Sequence, residues 1–357
     1  MNTPQMHSDF SWNDCQFSSL NQLLEYAEQS DTEVAGFLKQ WFDTTPTLTV
    51  RTSGSTGVPK PIALSKEAMK ASALATGTFF ELPAKTSALI CLSVNYIAGK
   101  MMWIRALELG WKVYYTPPVA NPLQILENAV DFSAMVPMQL EASLNDLHKV
   151  KKLIVGGGAV SKELNEKIQA VSTEVYATYG MTETITHIAV KPLNRAAQKN
   201  GDSSVYNALP GVSFELDDRG CLCISAPRIS DEMVVTNDVV QLNSATAFEW
   251  RGRVDNVINS GGIKLQPEHI EASLGAYIQQ RFFVAGIPDK ILGEKLVLLL
   301  EGVSFTTGRE ILKNLALITT MNRYEIPKEV FVLPKFIETE THKIQRSKCL
   351  EKALEKH

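Results

Sequence analysis

The sequence predicts an α/β protein in two parts. The first is a large N-terminal domain built on a mainly parallel βαβ sheet with an antiparallel subdomain, and the second is a small α+β C-terminal domain. Three observations predict this. Between residues 48 and 180, apolar runs of strand length alternate with segments of helical periodicity, the pattern of βαβ units. After about residue 185 that alternation gives way to short strands separated by turn residues, the pattern of antiparallel sheet. From about residue 256 a further set of helices and strands carries enough apolar material for its own core. The expected domains are residues 1–254 and 255–357.

Taken in order, residues 20–29 and 33–42 carry apolar residues at helical spacing and form a helical lead-in. Residues 48–54 read as a strand running into a glycine turn. Residues 65–82 read as a helix with Ser65 as N-cap. Next come a buried strand (87–94), a helix ended by glycine (99–110) and another strand (111–116). The alternation continues with a helix at 125–130, a strand at 132–137, a helix at 138–147 and a strand at 152–157. A helix at 161–171 and a strand at 174–180 complete it. Residues 212–226, 233–242 and 248–262 read as antiparallel strands and turns. The last part offers helices at 267–278 and 308–321 and strands at 281–288, 295–302 and 328–334, then a solvated helix rich in Lys and Glu.

Hydrophobic residues make up 45% and charged residues 21%, ordinary for a globular protein, and the formal net charge is −4. Without an excess positive field, neither nucleic acid nor an anionic membrane is expected as the main partner. The five cysteines form no C-x-x-C pair, so neither a disulfide framework nor a zinc site is expected. No basic stretch followed by an apolar run opens the chain, and no stretch is long and apolar enough to span a bilayer. A reducing cytoplasm is the expected location.

Four motifs could carry chemistry. In TSGSTGVPK the glycines Gly54 and Gly57 free the backbone, and Thr52, Ser53, Ser55, Thr56 and Lys60 add donors and one positive charge. Such a loop suits a polyphosphate, although no glycine directly precedes Lys60, so it is not a Walker loop. Read alone, the segment serves equally as a solvent-exposed turn. YGMTE (Tyr179, Gly180, Thr182, Glu183) ends a predicted strand, where open α/β sheets bind ligands. Read alone, it is first of all a helix start capped by Thr182. Residues 252–271 join an Arg253–Asp255 pair to a glycine doublet, and residues 339–346 (TETHKIQR) form a basic segment. Alone, the one is a hairpin and the other a charged surface turn.

Together and in this order, the four motifs resemble the adenylate-forming superfamily of acyl-CoA ligases, luciferases and adenylation domains. Its T-S-G-[ST]-T-G-x-P-K signature is matched by residues 52–60, Y-G-x-T-E by 179–183 and G-R-x-D by 252–255. VVTND stands for Y-x-T-G-D, keeping Asp238 but not the tyrosine and glycine. Lys343 fits the lysine near the C-terminus. The resemblance covers roughly residues 48–350. Only 51 residues precede the glycine-rich loop, fewer than in the superfamily, so an N-terminal subdomain is expected to be trimmed.

The resemblance implies ATP and Mg²⁺ as cofactors and coenzyme A as co-substrate, with a small-molecule carboxylic acid as the partner and room for a homodimer. It implies that Lys343 bridges the α-phosphate and the substrate carboxylate, that Thr182 donates to the α-phosphate and that Glu183 holds Mg²⁺. Asp238 and Arg253 would grip the ribose, and Gly156, Gly157 and Gly158 would let adenine and acyl group lie against bare backbone. A mobile C-terminal domain would turn about Asp255, withdrawing Lys343 and bringing Ser260, Gly261 and Gly262 to a thiol tunnel. VPMQL (136–140), the GGG loop and the block after Gly252 look most like o-succinylbenzoate–CoA ligases of menaquinone biosynthesis. Their substrate keeps a second carboxylate. Tyr96 then stands at the acyl gate, Arg105 would read that carboxylate, and Gln139 is a further acyl-site candidate. His187 is read as structural or substrate-lining, because an ionised carboxylate needs no base. Other readings stay open: another aryl- or fatty-acyl-CoA ligase, an enzyme loading a carrier protein, or a degenerate nucleotide-binding module.

Overall fold

The computed structural model of the chain describes residues 4–51, 61–198, 204–339 and 344–355. Two short strands, β1 (Ser11–Trp12) and β2 (Cys15–Gln16), precede α1 (Leu20–Ser30) and α2 (Thr32–Phe42). Asp31 serves both helices. Its backbone N–H closes α1 on the Ala27 carbonyl, and its carboxylate accepts from the N–H groups of Glu33 and Val34. An N-cap carboxylate satisfies donors that a helix start leaves orphaned. The expected strand at 48 is present as β3 (Thr47–Arg51), but it pairs with β4 (Pro61–Ser65) in a separate antiparallel hairpin. Ser65 caps α3 (Lys66–Phe80), its hydroxyl accepting from the Ala68 N–H.

The βαβ region follows as β5 (Ser87–Ile90), α4 (Ile97–Leu109), β6 (Lys112–Tyr115) and β7 (Val130–Met135). It continues through α5 (Pro137–Ala142), β8 (Val150–Val155), α6 (Lys162–Lys167) and β9 (Glu174–Gly180). The strands pair in parallel in the order β6-β5-β7-β8-β9. The expected helix at 125–130 is not formed. A 3₁₀ turn ends at Ile125, and Val130 already pairs with Val150 in the sheet. A segment of that length closes too few hydrogen bonds to form a helix unaided. The helix expected over 138–147 breaks at Ser143, beyond which a 3₁₀ turn runs to Lys149.

The antiparallel part is not a separate sheet. β10 (His187–Pro192) pairs antiparallel with β9, and β11 (Val205–Ala208) pairs with β10. With β12 (Ser213–Leu216), β13 (Cys221–Ser225), β14 (Val234–Ser244) and β15 (Ala247–Arg253), one sheet of 13 strands results among the described residues. Its order is β12-β13-β14-β15-β11-β10-β9-β8-β7-β5-β6-β1-β2. Strand alternation sends Ala88 and Ile90 to the core that holds Trp12, Trp41, Trp103 and Trp111, and Leu89 to the core on the other face.

A second sheet holds β16 (Ile258–Ser260), β17 (Ile263–Leu265), β18 (Phe282–Asp289), β19 (Gly293–Glu301) and β20 (Glu329–Leu333). Around it lie α7 (Pro267–Leu274), α8 (Phe305–Leu315) and α9 (Arg346–Leu354). The apolar run in β19 is buried on both faces, Leu296, Leu298 and Leu300 in one cluster and Val297 and Leu299 in another. Within 248–262 a 3₁₀ turn, Val254–Asn256, stands where the first sheet ends and the second begins. The last helix is docked rather than solvated. Cys349 and Ala353 are buried, and Arg346 grips Glu271 by two hydrogen bonds of 2.7 Å.

Candidate active site

The carboxyl ends of β7, β8 and β9 lie side by side, with Met135 opposite Val155 and Val155 opposite Ala177. Gly156–Gly158 leaves β8 at this edge. A Cβ on Gly156 would stand 2.4 Å from Thr178 Oγ1, and Gly157 has φ 80°, so this exit needs glycine on both counts. Gly180 ends β9 under a harder constraint, since a Cβ there would meet the Thr186 carbonyl oxygen at 2.2 Å. Just beyond Gly180, Thr182 and Glu183 lie in a 3₁₀ turn, with Glu183 exposed. Ile185 then adopts φ 64°, ψ −60°, and the Thr186 N–H donates to the Thr184 carbonyl at 2.7 Å. This is a γ-turn with positive φ at a buried β-branched residue, a strained geometry of the kind that collects at functional sites.

Asp238 on β14 stands directly opposite Arg253 on β15 and is 6% exposed. Its Oδ2 accepts from the Tyr179 hydroxyl at 2.6 Å and its Oδ1 from Trp250 Nε1 at 3.0 Å. Arg253 Nη1 lies 3.5 Å from Oδ1, and Nη2 donates to Asp255 Oδ2 at 2.8 Å. Burial, then the neighbouring Asp238 carboxylate, pushes the Tyr179 phenol well above its ordinary range, so it stays a donor. Arg253 holds Asp255 below the usual carboxylate range. Asn237, where the superfamily pattern has glycine, donates from Nδ2 to both Asp255 oxygens at 3.1 and 3.2 Å. Trp250 and Asn237 were not among the sequence candidates. An aromatic residue alternating along a strand reads as packing, and nothing in its spacing marks an indole N–H aimed at a carboxylate.

On the acyl side, Tyr96 is 43% exposed at the start of α4. Gly99 follows, where a Cβ would lie 2.1 Å from the Ser93 carbonyl oxygen. Gln139 is buried, its amide donating to the carbonyls of Cys91 and Val119 at 3.1 Å each and accepting from the Val136 N–H at 3.3 Å. It therefore fastens three loops at the strand ends, and its donors are taken up by backbone. Arg105 is 1% exposed. Nε donates to Thr76 Oγ1 at 3.2 Å, and Nη2 lies 3.4 Å from His187 Nδ1. Among the described residues no carboxylate pairs with it. Burial lowers the Arg105 pKa to about 9, and burial, then Arg105, holds His187 neutral far below its usual range.

Ser260–Gly262 forms the tip of the β16–β17 hairpin, with φ 61° at Gly261 and 81° at Gly262, a turn that needs positive φ twice. Residues 52–60, with Thr52, Ser53, Gly54, Ser55, Thr56, Gly57 and Lys60, lie outside the described residues, as does Lys343.

This open α/β sheet, with glycine-lined strand ends and a paired aspartate, arginine and tyrosine, is that of an enzyme of the AMP-binding class: the chain belongs to the AMP-binding enzyme family, whose model matches residues 17–229. Among curated relatives, it is 27% identical over 356 residues to the 2-succinylbenzoate–CoA ligase of Listeria monocytogenes, covering 92% of this chain and 75% of that protein. The ligase of the same name from Escherichia coli is 25% identical, covering 70% of this chain and 57% of that one. Among solved structures, an AMP-forming acyl-CoA synthetase/AMP-acid ligase II-like protein from Dyadobacter fermentans shares 37% identity. That match has a TM-score of 0.59 and covers 90% of this chain and 93% of that one. The fold also matches o-succinylbenzoate CoA synthetase from Bacillus subtilis, determined with its acyl-adenylate intermediate. There the TM-score is 0.70 and the identity 20%, over 84% of this chain and 68% of that one.

Proposed function

We propose that this enzyme joins o-succinylbenzoate to coenzyme A in two steps through an acyl-adenylate made from ATP. The observation that carries the choice of acid is Arg105, a buried guanidinium without a carboxylate partner among the described residues, on the helix that begins at Tyr96. Burying an unpaired cation is costly, and a second substrate carboxylate would offset that cost. The names of the curated relatives support the same acid.

In the first step the ionised substrate carboxylate attacks the α-phosphorus of ATP, and pyrophosphate leaves. Charge gathers on one phosphorus, so the chain's task is positioning and electrostatic stabilisation. Asp238, oriented by Tyr179 and Trp250, would accept the ribose hydroxyls beside Arg253. Thr182 and Lys343 would donate to the α-phosphate, and the loop 52–60 would hold the outer phosphates. No group of three His, Cys, Asp or Glu side chains among the described residues could cage a metal. Mg²⁺ held mainly by substrate phosphates needs only one or two carboxylates, and the exposed Glu183 fits that demand. When bound, the ion would neutralise phosphate charge. His187 is too buried and too firmly neutral to serve as a base.

In the second step the thiol of coenzyme A displaces AMP. The division at residues 254 and 255 would let the small domain turn about Asp255 and bring the Ser260–Gly262 tip to the thiol. Among the described residues no helix is long and apolar enough to cross a membrane. The reading places the enzyme in the cytoplasm, with a homodimer testable by light scattering. The test of function is pyrophosphate release with a panel of acids, by wild type and Arg105→Ala. A large loss confined to the dicarboxylate is expected. Preference of the wild type for simple benzoates overturns the choice of acid.

A further inference from the structure

We propose that His187 and Thr76 are positioning residues for Arg105, two uncharged side chains that fix its guanidinium and so set how tightly a second substrate carboxylate is held. This rests on the reading that Arg105 meets that carboxylate. The three side chains come from three elements: Thr76 from α3, Arg105 from α4 and His187 from β10. All are buried.

The hydrogen bonds admit one proton arrangement. The Thr76 hydroxyl donates to the Ser72 carbonyl at 3.0 Å, so its oxygen accepts from Arg105 Nε at 3.2 Å. A guanidinium nitrogen offers no lone pair, so His187 Nδ1, 3.4 Å from Nη2, must be the acceptor. The imidazole proton then sits on Nε2, which faces Thr76 Oγ1 at 3.4 Å. Each member fixes the next, and the ring closes on the α3 backbone. The His187 side of the ring depends on two local devices. The γ-turn at Ile185 reverses the chain, and a β-bulge between His187 and Ala189 shifts the register on β9.

The chemistry of the partners matters as much as their geometry. A carboxylate in either place would neutralise Arg105 and compete with a substrate anion. A neutral imidazole and a hydroxyl use two donor directions of the guanidinium and leave its charge uncompensated. The ring thus orients the cation without quenching it, which suits recognition of an anion that arrives with the substrate.

The test measures kcat and KM for pyrophosphate release with o-succinylbenzoate and with 4-oxo-4-phenylbutanoate, which keeps the succinyl carboxylate that reacts and lacks the second, aromatic one. His187→Ala is expected to raise KM for o-succinylbenzoate about tenfold, with a smaller change in kcat and a much smaller rise for 4-oxo-4-phenylbutanoate. His187→Gln, whose amide oxygen can accept from Nη2, should recover most of that loss. Thr76→Val removes the other acceptor at constant shape and should act in the same direction, and it carries the test if His187→Ala fails to fold. Equal KM rises for both acids, or none in folded variants, overturn the positioning role. Arg105→Ala separates the two levels. If it selectively loses the dicarboxylate while the His187 and Thr76 variants do not, only the positioning role falls. If it treats both acids alike, the reading of Arg105 falls and the positioning role with it.

Discussion

Asp238 accepts a phenol on one carboxylate oxygen and an indole N–H on the other, with Arg253 alongside. Its orientation is therefore set before any ribose arrives, and the lone pairs that remain are the ones a diol can use. Tyr179→Phe removes a hydrogen bond to a charged group, worth about 1.5–3 kcal/mol. It should raise KM for ATP about tenfold with less effect on kcat, as measured by pyrophosphate release. His187 gives a second prediction at this scale. Its folded pKa lies well below the usual 6.5, through burial and then Arg105 on α4, while Thr76 on α3 adds no charge. Below pH 6.5 the unfolded chain takes up a proton that the folded chain refuses. Stability is thus full above 6.5 and falls as pH drops, by about 1.4 kcal/mol one unit below. Urea melts at pH 7.5 and 5.5 should show this loss in wild type and less of it in His187→Gln, and equal slopes would refute it.

At the level of elements, the site depends on how strands end. β8 leaves through Gly156 and Gly157, and β9 ends at Gly180 with the β10 backbone pressed against its α-carbon. Gly180→Ala would set a Cβ 2.2 Å from a backbone oxygen that no rotamer change can clear. The β9–β10 register must give way, at about 1–3 kcal/mol. That loss should appear in urea melts together with a collapse of adenylation, since Tyr179 and Thr182 flank the same turn. Strand and helix order here was legible from alternation, and the caps at Ser65 and Gly110 were legible from residue type. The missing helix at 125–130 was not. Six residues of mixed pattern carry no periodic signal that separates a 3₁₀ turn and strand start from a helix.

For the whole molecule, two sheets meet at the turn Val254–Asn256, where Arg253 and Asn237 of the first sheet's strands hold Asp255. If the small domain carries Lys343 in and out of the site, the two half-reactions must separate. Lys343→Ala should abolish adenylation yet still form the thioester from a supplied acyl-adenylate, followed by chromatography of the acyl-CoA. Equal loss of both steps would refute the rotation. By itself, the sequence determined the class of fold and the order of its motifs, because hydrophobic period and motif spacing are local along the chain, and the resemblance those motifs carry named Asp238, Arg253 and Arg105 as candidates. Only the tertiary structure decided that parallel and antiparallel strands form one continuous sheet. It alone showed that Gln139 is consumed by backbone, that Trp250 and Asn237 serve the aspartates, and that Arg105 rests against a neutral His187. Apart from the Gln139 bond to Val136, those pairings join residues between 12 and 82 positions apart, as Asp238 with Trp250 and Arg105 with His187, and which side chain meets which follows from strand register and helix packing. Neither is encoded in any local stretch.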